Sequence, residues 1–330
     1  MKKLLYFAYF IKSTDRKKLN DQLAYSSKQY SCSKIHLCCD MLCCALKYGI
    51  SFHEYFYYGF CQKDKKQRLE YASMAFMYEF QKKYNSKDHV DILNDKLLFN
   101  KTYAEFVNRK WLNPIASDLS DIQNILLNSD KVVLKRSKGT IGKDVLVLDV
   151  HEMTPEQVKK YAIENDYNLL EEFVYQHLDM QKISPNSLNT IRIITHLNED
   201  NSVDILGAIL RMGTTKNTDN FSTGGIAAKI DITDGIVISD GVMVDISEPV
   251  YKCHPVSGAQ IKGFKIPFWE NVLAMTRNAA KKADFNKTVG WDVAVKEDGP
   301  IMIEGNHNWW AGIWQMVEGK GMKYVLNKYL

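Results

Sequence analysis

The sequence predicts an α+β fold with a helical N-terminal region, and three observations carry that expectation. Apolar residues recur at three- and four-residue spacing through most of residues 1–92. From about residue 130 the texture changes to short β-branched or alternating runs bounded by turn residues. Helix-period segments are interspersed among those runs.

The elements follow in order. The apolar run Leu4–Ile11 lacks a small-residue cleavage site, and a bilayer span needs about 20 residues, so a buried strand or a first helical turn is expected there. KKLNDQLAYSSKQY, KIHLCCDMLCCALKYG and KKQRLEYASMAFMYEFQKKYN each read as a helix, with Gly49 ending the second. The aromatic cluster FHEYFYYGF between the second and third reads as core or inter-lobe packing. DKVVLKR, DVLVLDV, YNLLEEFVY, TIRIITHL, VDILGAILRMG and AAKIDIT read as strands. TPEQVKKYAIEN is expected as a helix capped by Thr154 with Pro155 at its first position. WENVLAMTRNAAKKA reads as a long amphipathic helix. GWDVAVKED and GPIMIEGN then read as two strands joined by a turn at Asp298–Gly299. No internal repeat or low-complexity linker divides the chain.

Composition excludes some functions. Net charge is +4, from 43 basic and 39 acidic residues, too mild to argue for nucleic acid. No Lys/Arg stripe alternates with aromatics, and no segment is long and apolar enough to span a membrane. Six of the seven cysteines fall within the first 61 residues. The odd count without a secretion signal implies reduced thiols and a cytoplasmic location. Cys39 and Cys43 are helical neighbours, but the paired spacing matches no zinc pattern, and buried helix packing is expected.

Three constellations carry chemistry. KVVLKRSKGTIGKDV places Lys135 at a strand end, followed by a loop with Ser137, Gly139, Thr140 and Gly142. Glycines let backbone N–H groups approach phosphate oxygens, and a lysine adds a point charge. A strand rather than a helix follows, so the loop is neither a Walker nor a Rossmann turn. A nucleotide lid and a plain basic hairpin both remain open on this evidence.

The second constellation is GWDVAVKEDGPIMIEGNHN. Glu304 and Asn306 lie two apart on one strand and therefore share a face. Pairing with the preceding strand brings Asp292 to the same face. Two carboxylates and one amide suit Mg²⁺, which prefers oxygen and keeps phosphates in its shell. The third is Arg192 and Arg211, each within an apolar strand run. They could clamp a phosphoryl group and a carboxylate, or simply pair with acidic residues. Asp219, Asn220, Ser222, Gly224 and Gly225 form a donor-rich loop beside them.

In this order the motifs resemble the ATP-grasp superfamily. The pattern DIR…R…N…GG…D…ExN, here with Arg192 in TIR, is similar to ribosomal-protein glutamate ligases. YGISFHEYFYYGF, LNDKLLF, SLNTIRIIT, DNFSTGGI, HPVSGAQIKGFKIPFW and VGWDVAVKEDGPIMIEGN look like the sugar-transfer-associated ATP-grasp branch. The resemblance implies an ATP-grasp fold, two α+β lobes gripping ATP, over residues 93–330, with a lobe boundary near 173–176 and a separate helical region at 1–92. It implies that Lys96 and Lys135 contact ATP phosphates and that Ser137 to Gly142 cover them. Glu171, Glu172 and Val174 match the segment that holds adenine and ribose. Arg192 and Arg211 match arginines near the transferred phosphate and the acceptor carboxylate, and Asn220 matches the asparagine before the paired glycines. Asp292, Glu304 and Asn306 match the metal ligands. The cofactors implied are ATP and Mg²⁺, with Mn²⁺ as a substitute.

The activity implied is carboxylate–amine ligation through an acyl-phosphate, on a sugar acid or glycan precursor of a surface polysaccharide. The partners implied are therefore a small-molecule or glycan carboxylate and an amine, with a homodimer compatible. A sugar or small-molecule kinase on the same fold is the alternative, and a non-catalytic nucleotide-binding component is a third. The run NHNWW departs from the usual small residue and proline or glycine after the last asparagine, so Trp309 and Trp310 are assigned either to the acceptor pocket or to core. His254 and His307 are candidate bases for the amine, or hydrogen-bonded structural residues. Asp231 and Asp245 read as ordinary loop or strand residues.

Overall fold

The helix-period stretch at the N-terminus folds as short, individually capped helices. The computed structural model describes residues 2–139, 145–185, 187–214, 219–282 and 284–330. Lys2–Ser13 is a helix, not a strand, and it buries Phe10 while Leu4 and Leu5 face solvent. Arg16–Gln29 begins at Asp15, whose carboxylate accepts from Lys18 N at 3.1 Å. Lys34–Tyr48 begins at Ser33 and stops at Gly49, whose φ of 68° is left-handed and favours glycine.

The third expected helix is two. Lys65–Leu69 and Met74–Tyr84 are separated by a turn, because Ser73 caps a new helix by accepting from Phe76 N at 3.3 Å. FHEYFYYGF supplies the helix Phe52–Tyr57, opened by a reciprocal Ser51/Glu54 capping box. Tyr55, Phe56 and Phe60 are buried, so this cluster is core. Glu54 is buried with them, and its Oε2 accepts from Ser51 N at 3.0 Å and Met74 N at 3.1 Å. Cys39 and Cys43 are exposed, against the expectation of buried packing. Their helix buries the face made by Leu37, Met41, Cys44 and Ala45 instead.

Two antiparallel sheets follow. β1 (Trp111–Leu112), β2 (Lys131–Lys135), β3 (Val145–Asp149) and β4 (Leu169–Glu172) form the first, in the order β1-β4-β2-β3. The helices Leu119–Leu127 and Pro155–Asn165 pack on it around Ile122, Val132, Leu134, Val158 and Leu170. Thr154 caps the second of these helices with Pro155 at its first turn, as expected.

β5 (Thr190–Leu197), β6 (Val203–Met212), β7 (Ile226–Lys229), β8 (Thr288–Lys296) and β9 (Gly299–Asn306) form the second sheet, in the order β7-β6-β5-β8-β9. Ile191, Ile193, Leu210, Trp291 and Val293 on one face pack against the helix Trp269–Lys282. Ile194 and Ile209 on the other pack with Phe80, Trp309 and Trp314. The β8–β9 turn is Glu297–Asp298, one residue earlier than expected, because Gly299 already pairs with Lys296.

The helical region is fastened to this second sheet's outer layer. Gln315, in the helix Ala311–Glu318, accepts through Oε1 from Ala72 N at 2.8 Å and Met322 N at 3.1 Å. Its Nε2 donates to Ala72 O and Tyr58 Oη, both at 3.0 Å. No helix among the described residues is long and apolar enough to cross a membrane.

Candidate active site

Five polar side chains share one face of the second sheet. Arg192 on β5 pairs with Asp292 on β8, and Asp292 pairs with Glu304 on β9. Directly paired residues share a face, as do residues two apart on one strand. Asn306 therefore joins Glu304, and Arg211 joins them because Ile209, two residues before it, pairs with Arg192. Next to Asp292 the register shifts, with Glu304 opposite Asp292 but Met302 opposite Val293. Such a bulge re-aims side chains beside a site.

The two carboxylates have unequal partners. Asp292 is 3% exposed and carries both arginines: Arg192 Nε meets Oδ1 at 2.5 Å, and Arg211 Nη1 meets Oδ2 at 2.8 Å. Burial alone would push its carboxyl up, but the two guanidiniums hold it well below the usual range. Glu304 accepts only a long bond from Asn306 Nδ2, 3.3 Å, among the protein contacts seen. Burial and then the facing Asp292 push its carboxyl up. A divalent cation between these acids would relieve that repulsion, so the residues present fit one. No group of three or more His, Cys, Asp or Glu forms a metal cage among the described residues. The protein would supply two carboxylates and an amide, leaving the rest of an octahedral shell to water and phosphate, as Mg²⁺ prefers.

Arg211 is held from its other side by Asp219, Nη2 to Oδ1 at 3.2 Å. Asp219 also accepts from Thr190 N at 2.9 Å and from the Thr190 hydroxyl. The structure thus realises the ion-pair reading of the arginines, while leaving them on the same face of the sheet as Glu304 and Asn306. Asn220 follows directly, and its Oδ1 accepts from Ser222 N at 3.0 Å and Ser222 Oγ at 2.8 Å. The loop doubles back so tightly that a Cβ on Gly225 would lie 2.4 Å from Asp219 O.

Lys135 ends β2 of the first sheet, and Lys96 reaches the loop that follows it from a neighbouring helix. Lys96 begins the helix Lys96–Thr102, which Asp95 caps. Its backbone N–H donates to Ser137 O at 2.9 Å and its Nζ to Gly139 O at 2.6 Å. Burial lowers the Lys96 ammonium pKa, and Glu304 is the strongest influence raising it again. Lys96 therefore bridges the loop and the acidic pair electrostatically. Ser137 is buried and pinned by Asn168, which accepts from its N–H at 2.7 Å and donates to its Oγ at 3.0 Å. Thr140 and Gly142 lie outside the described residues.

Lys135 Nζ donates to Glu171 Oε2 at 2.6 Å. The other oxygen of Glu171 accepts from Arg109 Nη2 at 2.7 Å and Asn100 Nδ2 at 2.9 Å. Arg109 Nη1 also donates to Met302 O on β9 at 2.8 Å, so this buried cluster ties the first sheet to the second. Sequence reasoning passed over Arg109 and Asn100: nothing local marks them, and the partner of Arg109 lies 62 residues away. The side chain of Glu171 is thus committed to the tie. Glu172 Oε2 accepts from Lys110 N at 2.8 Å. Val174, just beyond β4, makes no backbone–backbone hydrogen bond among the described residues.

The remaining candidates are structural in this arrangement. His254 is 1% exposed, and its Nε2 sits 3.1 Å from Gly213 O. His307 is half-buried, with Nε2 at 3.1 Å from Asn94 Oδ1. Trp309 is core, donating to Thr288 Oγ1 at 3.0 Å. Trp310 packs between Tyr57 and Phe221, with centroids 5.6 and 6.3 Å away.

Two antiparallel α+β lobes, with Lys135 and the loop after it on one and an Asp–Glu–Asn face with two arginines on the other, define the ATP-grasp architecture. A family model described as sugar-transfer associated ATP-grasp matches residues 75–329, and the chain belongs to that family. Among solved structures, the chain is similar to ATP-grasp ligase PsnB complexed with minimal precursor, at 10% identity over 77% of this chain and 68% of that one, with a TM-score of 0.45. D-cycloserine synthetase DcsG matches at 12% identity over 78% of both chains, with a TM-score of 0.41. The ADP complex of purK, an N5-carboxyaminoimidazole ribonucleotide synthetase, matches at 10% over 74% of this chain and about half, 53%, of that one, with a TM-score of 0.42. Family membership rests on the family model, since these structural scores are low. No match is found among curated proteins.

Proposed function

We propose that this ATP-grasp enzyme is an ATP- and Mg²⁺-dependent carboxylate–amine ligase. Its substrates on this reading are a sugar acid or other precursor of a surface polysaccharide and an amino acid or amine, joined in the cytoplasm. The observation that carries the reading is the row Arg192–Asp292–Glu304 across three paired strands, with Arg211 and Asn306 on the same face. The family's description as sugar-transfer associated supports the glycan half.

Lys96, from its helix, and Lys135, from the first sheet, bind the ATP phosphates, and the backbone edge at Val174 orients adenine. Asp292, Glu304 and Asn306 hold Mg²⁺, which when bound neutralises phosphate charge. A carboxylate oxygen of the acceptor attacks the γ-phosphorus, and the bond to the ADP oxygen breaks. Arg192 and Arg211 stabilise the oxygens of the transferring group and of the acceptor carboxylate. The amine nitrogen then attacks the acyl carbon, phosphate leaves, and the amine gives up a proton. Positioning and charge neutralisation do this work, so no cysteine is needed as a nucleophile. The chain divides on this reading into a helical region, 1–92, and a catalytic domain, 93–330, whose lobes meet near 173–176.

An ADP-release screen of uronic acids against amino acids and simple amines tests the proposal. Free phosphate should appear only with both substrates present, and hydroxylamine should trap the acyl-phosphate as a hydroxamate. A stable phosphorylated sugar without free phosphate would assign a kinase instead.

A further inference from the structure

The helix Lys2–Ser13 carries apolar side chains on every side, but only one side is packed. Phe10 is buried, and Tyr6 and Phe7 are partly buried against the core of the helical region. Leu4 and Leu5 are each 66% exposed, and Tyr9 and Ile11 are exposed as well. A helix that is apolar all round ordinarily has something to cover each side.

The helix Lys34–Tyr48 repeats the pattern. It buries Leu37, Met41, Cys44 and Ala45 in the same core and lies against the first helix. On its outer side Ile35, Cys39, Leu42, Cys43 and Leu46 recur at helical spacing. At 3.6 residues per turn they form a stripe about 100° wide. Ile35 is 78% exposed, and Leu42 and Leu46 are exposed too. No segment among the described residues covers either outer side.

Charge is spread unevenly along the chain. Residues 1–48 hold 9 of the 43 basic residues but only 3 of the 39 acidic ones, which leaves 34 basic against 36 acidic elsewhere. The excess positive charge therefore belongs to the same end as the exposed leucines and isoleucines. Of the three acids there, Asp40 is taken up by Arg68 at 2.7 Å, and Asp15 caps the helix Arg16–Gln29. Helical periodicity puts Lys12 on the outer side of the first helix and Lys47 at the edge of the stripe on Lys34–Tyr48, and both are exposed.

The two features together select a partner. A nucleic acid would draw on the lysines and leave the leucines and isoleucines in water. A neutral apolar groove would cover those side chains and leave the lysines unused. An anionic bilayer surface uses both, since apolar side chains sink to the boundary between headgroups and acyl chains while lysines meet lipid phosphates. Tyr9 suits that boundary, with an apolar ring and a polar tip.

We propose that the outer sides of Lys2–Ser13 and Lys34–Tyr48 dock this protein on an anionic lipid bilayer. The helices lie in its surface without crossing it, being 12 and 15 residues long where a span needs about 20. This does not rest on the ligase reading.

The test is flotation of the full-length protein with vesicles of phosphatidylcholine alone or of equal parts phosphatidylcholine and phosphatidylglycerol. Binding should be at least tenfold tighter to the anionic vesicles and should weaken from about 0.1 M to about 1 M salt, where the Debye length shrinks to about 3 Å. The double variant Leu5→Gln, Ile35→Gln and the double variant Lys12→Glu, Lys47→Glu should each lose at least tenfold in affinity, and the lysine variant should lose most of the salt response. All four positions are exposed, so both variants should melt as wild type does. Lys262→Glu, Lys265→Glu, the same charge change at exposed positions far along the chain, should bind as wild type does. No binding, equal binding to neutral vesicles, wild-type binding by both test variants, or an equal loss in the Lys262, Lys265 control would overturn the proposal. So would a dimer in solution that Leu5→Gln, Ile35→Gln converts to a monomer while wild type floats with neither vesicle, since the apolar sides would then be covered by a second copy.

Discussion

Asp292 and Glu304 face each other across paired strands, but only Asp292 has guanidinium partners. Glu304 feels Lys96 and Arg192 only through space, too weakly to offset burial and Asp292, and that makes it the most direct metal candidate. Replacing it by the isosteric amide, Glu304→Gln, should lower turnover by about 10²–10³, read by ADP release. The same variant should unfold no more easily than wild type without metal, because a like-charge contact is removed; a large loss of stability would mean Glu304 has a structural partner instead. Protons compete with the metal for the raised carboxyl. Apparent Mg²⁺ affinity should therefore fall as pH drops through that raised pKa, by about tenfold per unit below it, with a flat profile in Glu304→Gln. The linkage to folding has the opposite sense: a raised carboxyl favours the fold at low pH, and that increment is lost as pH rises through the folded pKa. Magnesium protection against heating should accordingly grow from acid toward neutral pH.

Between elements, the tie from β2 and β4 to β9 through Lys135, Glu171 and Arg109 is a buried ion cluster. Burial pushes the Glu171 carboxyl up, but Arg109 and Lys135 overcome it and hold it below the ordinary range. Its stabilisation is present above the unfolded carboxyl pKa of about 4.3 and is lost as pH falls toward the depressed folded value. Glu171→Gln leaves two cations unmatched and should cost about 3–5 kcal/mol at neutral pH, measured by urea unfolding, with a flatter acid limb. Gly225→Ala should leave the fold intact but displace the Asn220 loop, because the added carbon meets Asp219 O; turnover should drop with melting nearly unchanged. The strands were readable because β-branched runs and period-two alternation mark them, and so were the Thr154 and Gly49 caps. The break at Ser73 was not, since apolar spacing continues across it while capping chemistry ends one helix and starts another. The β8–β9 turn slipped by one residue because Gly299, with φ 130°, is compatible with either position.

At the scale of the whole molecule, the helical region is part of the protein's packing and not an appendage. Gln315 satisfies Ala72 and Met322 amides that would otherwise be buried unpaired. Gln315→Leu should cost about 2–4 kcal/mol in a single cooperative urea transition; a separate early transition would mean the helical region unfolds independently. The shared face of Asp292, Glu304 and Asn306 was legible because a two-residue step fixes a strand face whatever the tertiary context. The role of Arg109 was not, because it depends on a contact between segments far apart in sequence. Nor could spacing decide between clamp and ion pair for Arg192 and Arg211, which the fold places on Asp292. The most direct measurement of the central claim is titration of a non-hydrolysable ATP analogue into wild type and into the Asp292→Ala, Glu304→Ala double variant, with Mg²⁺ and with EDTA. Wild type should bind tightly only with Mg²⁺, and the double variant should lose that Mg²⁺ dependence; equal, Mg²⁺-responsive binding in both proteins would contradict the assignment of Asp292, Glu304 and Asn306 as the metal site.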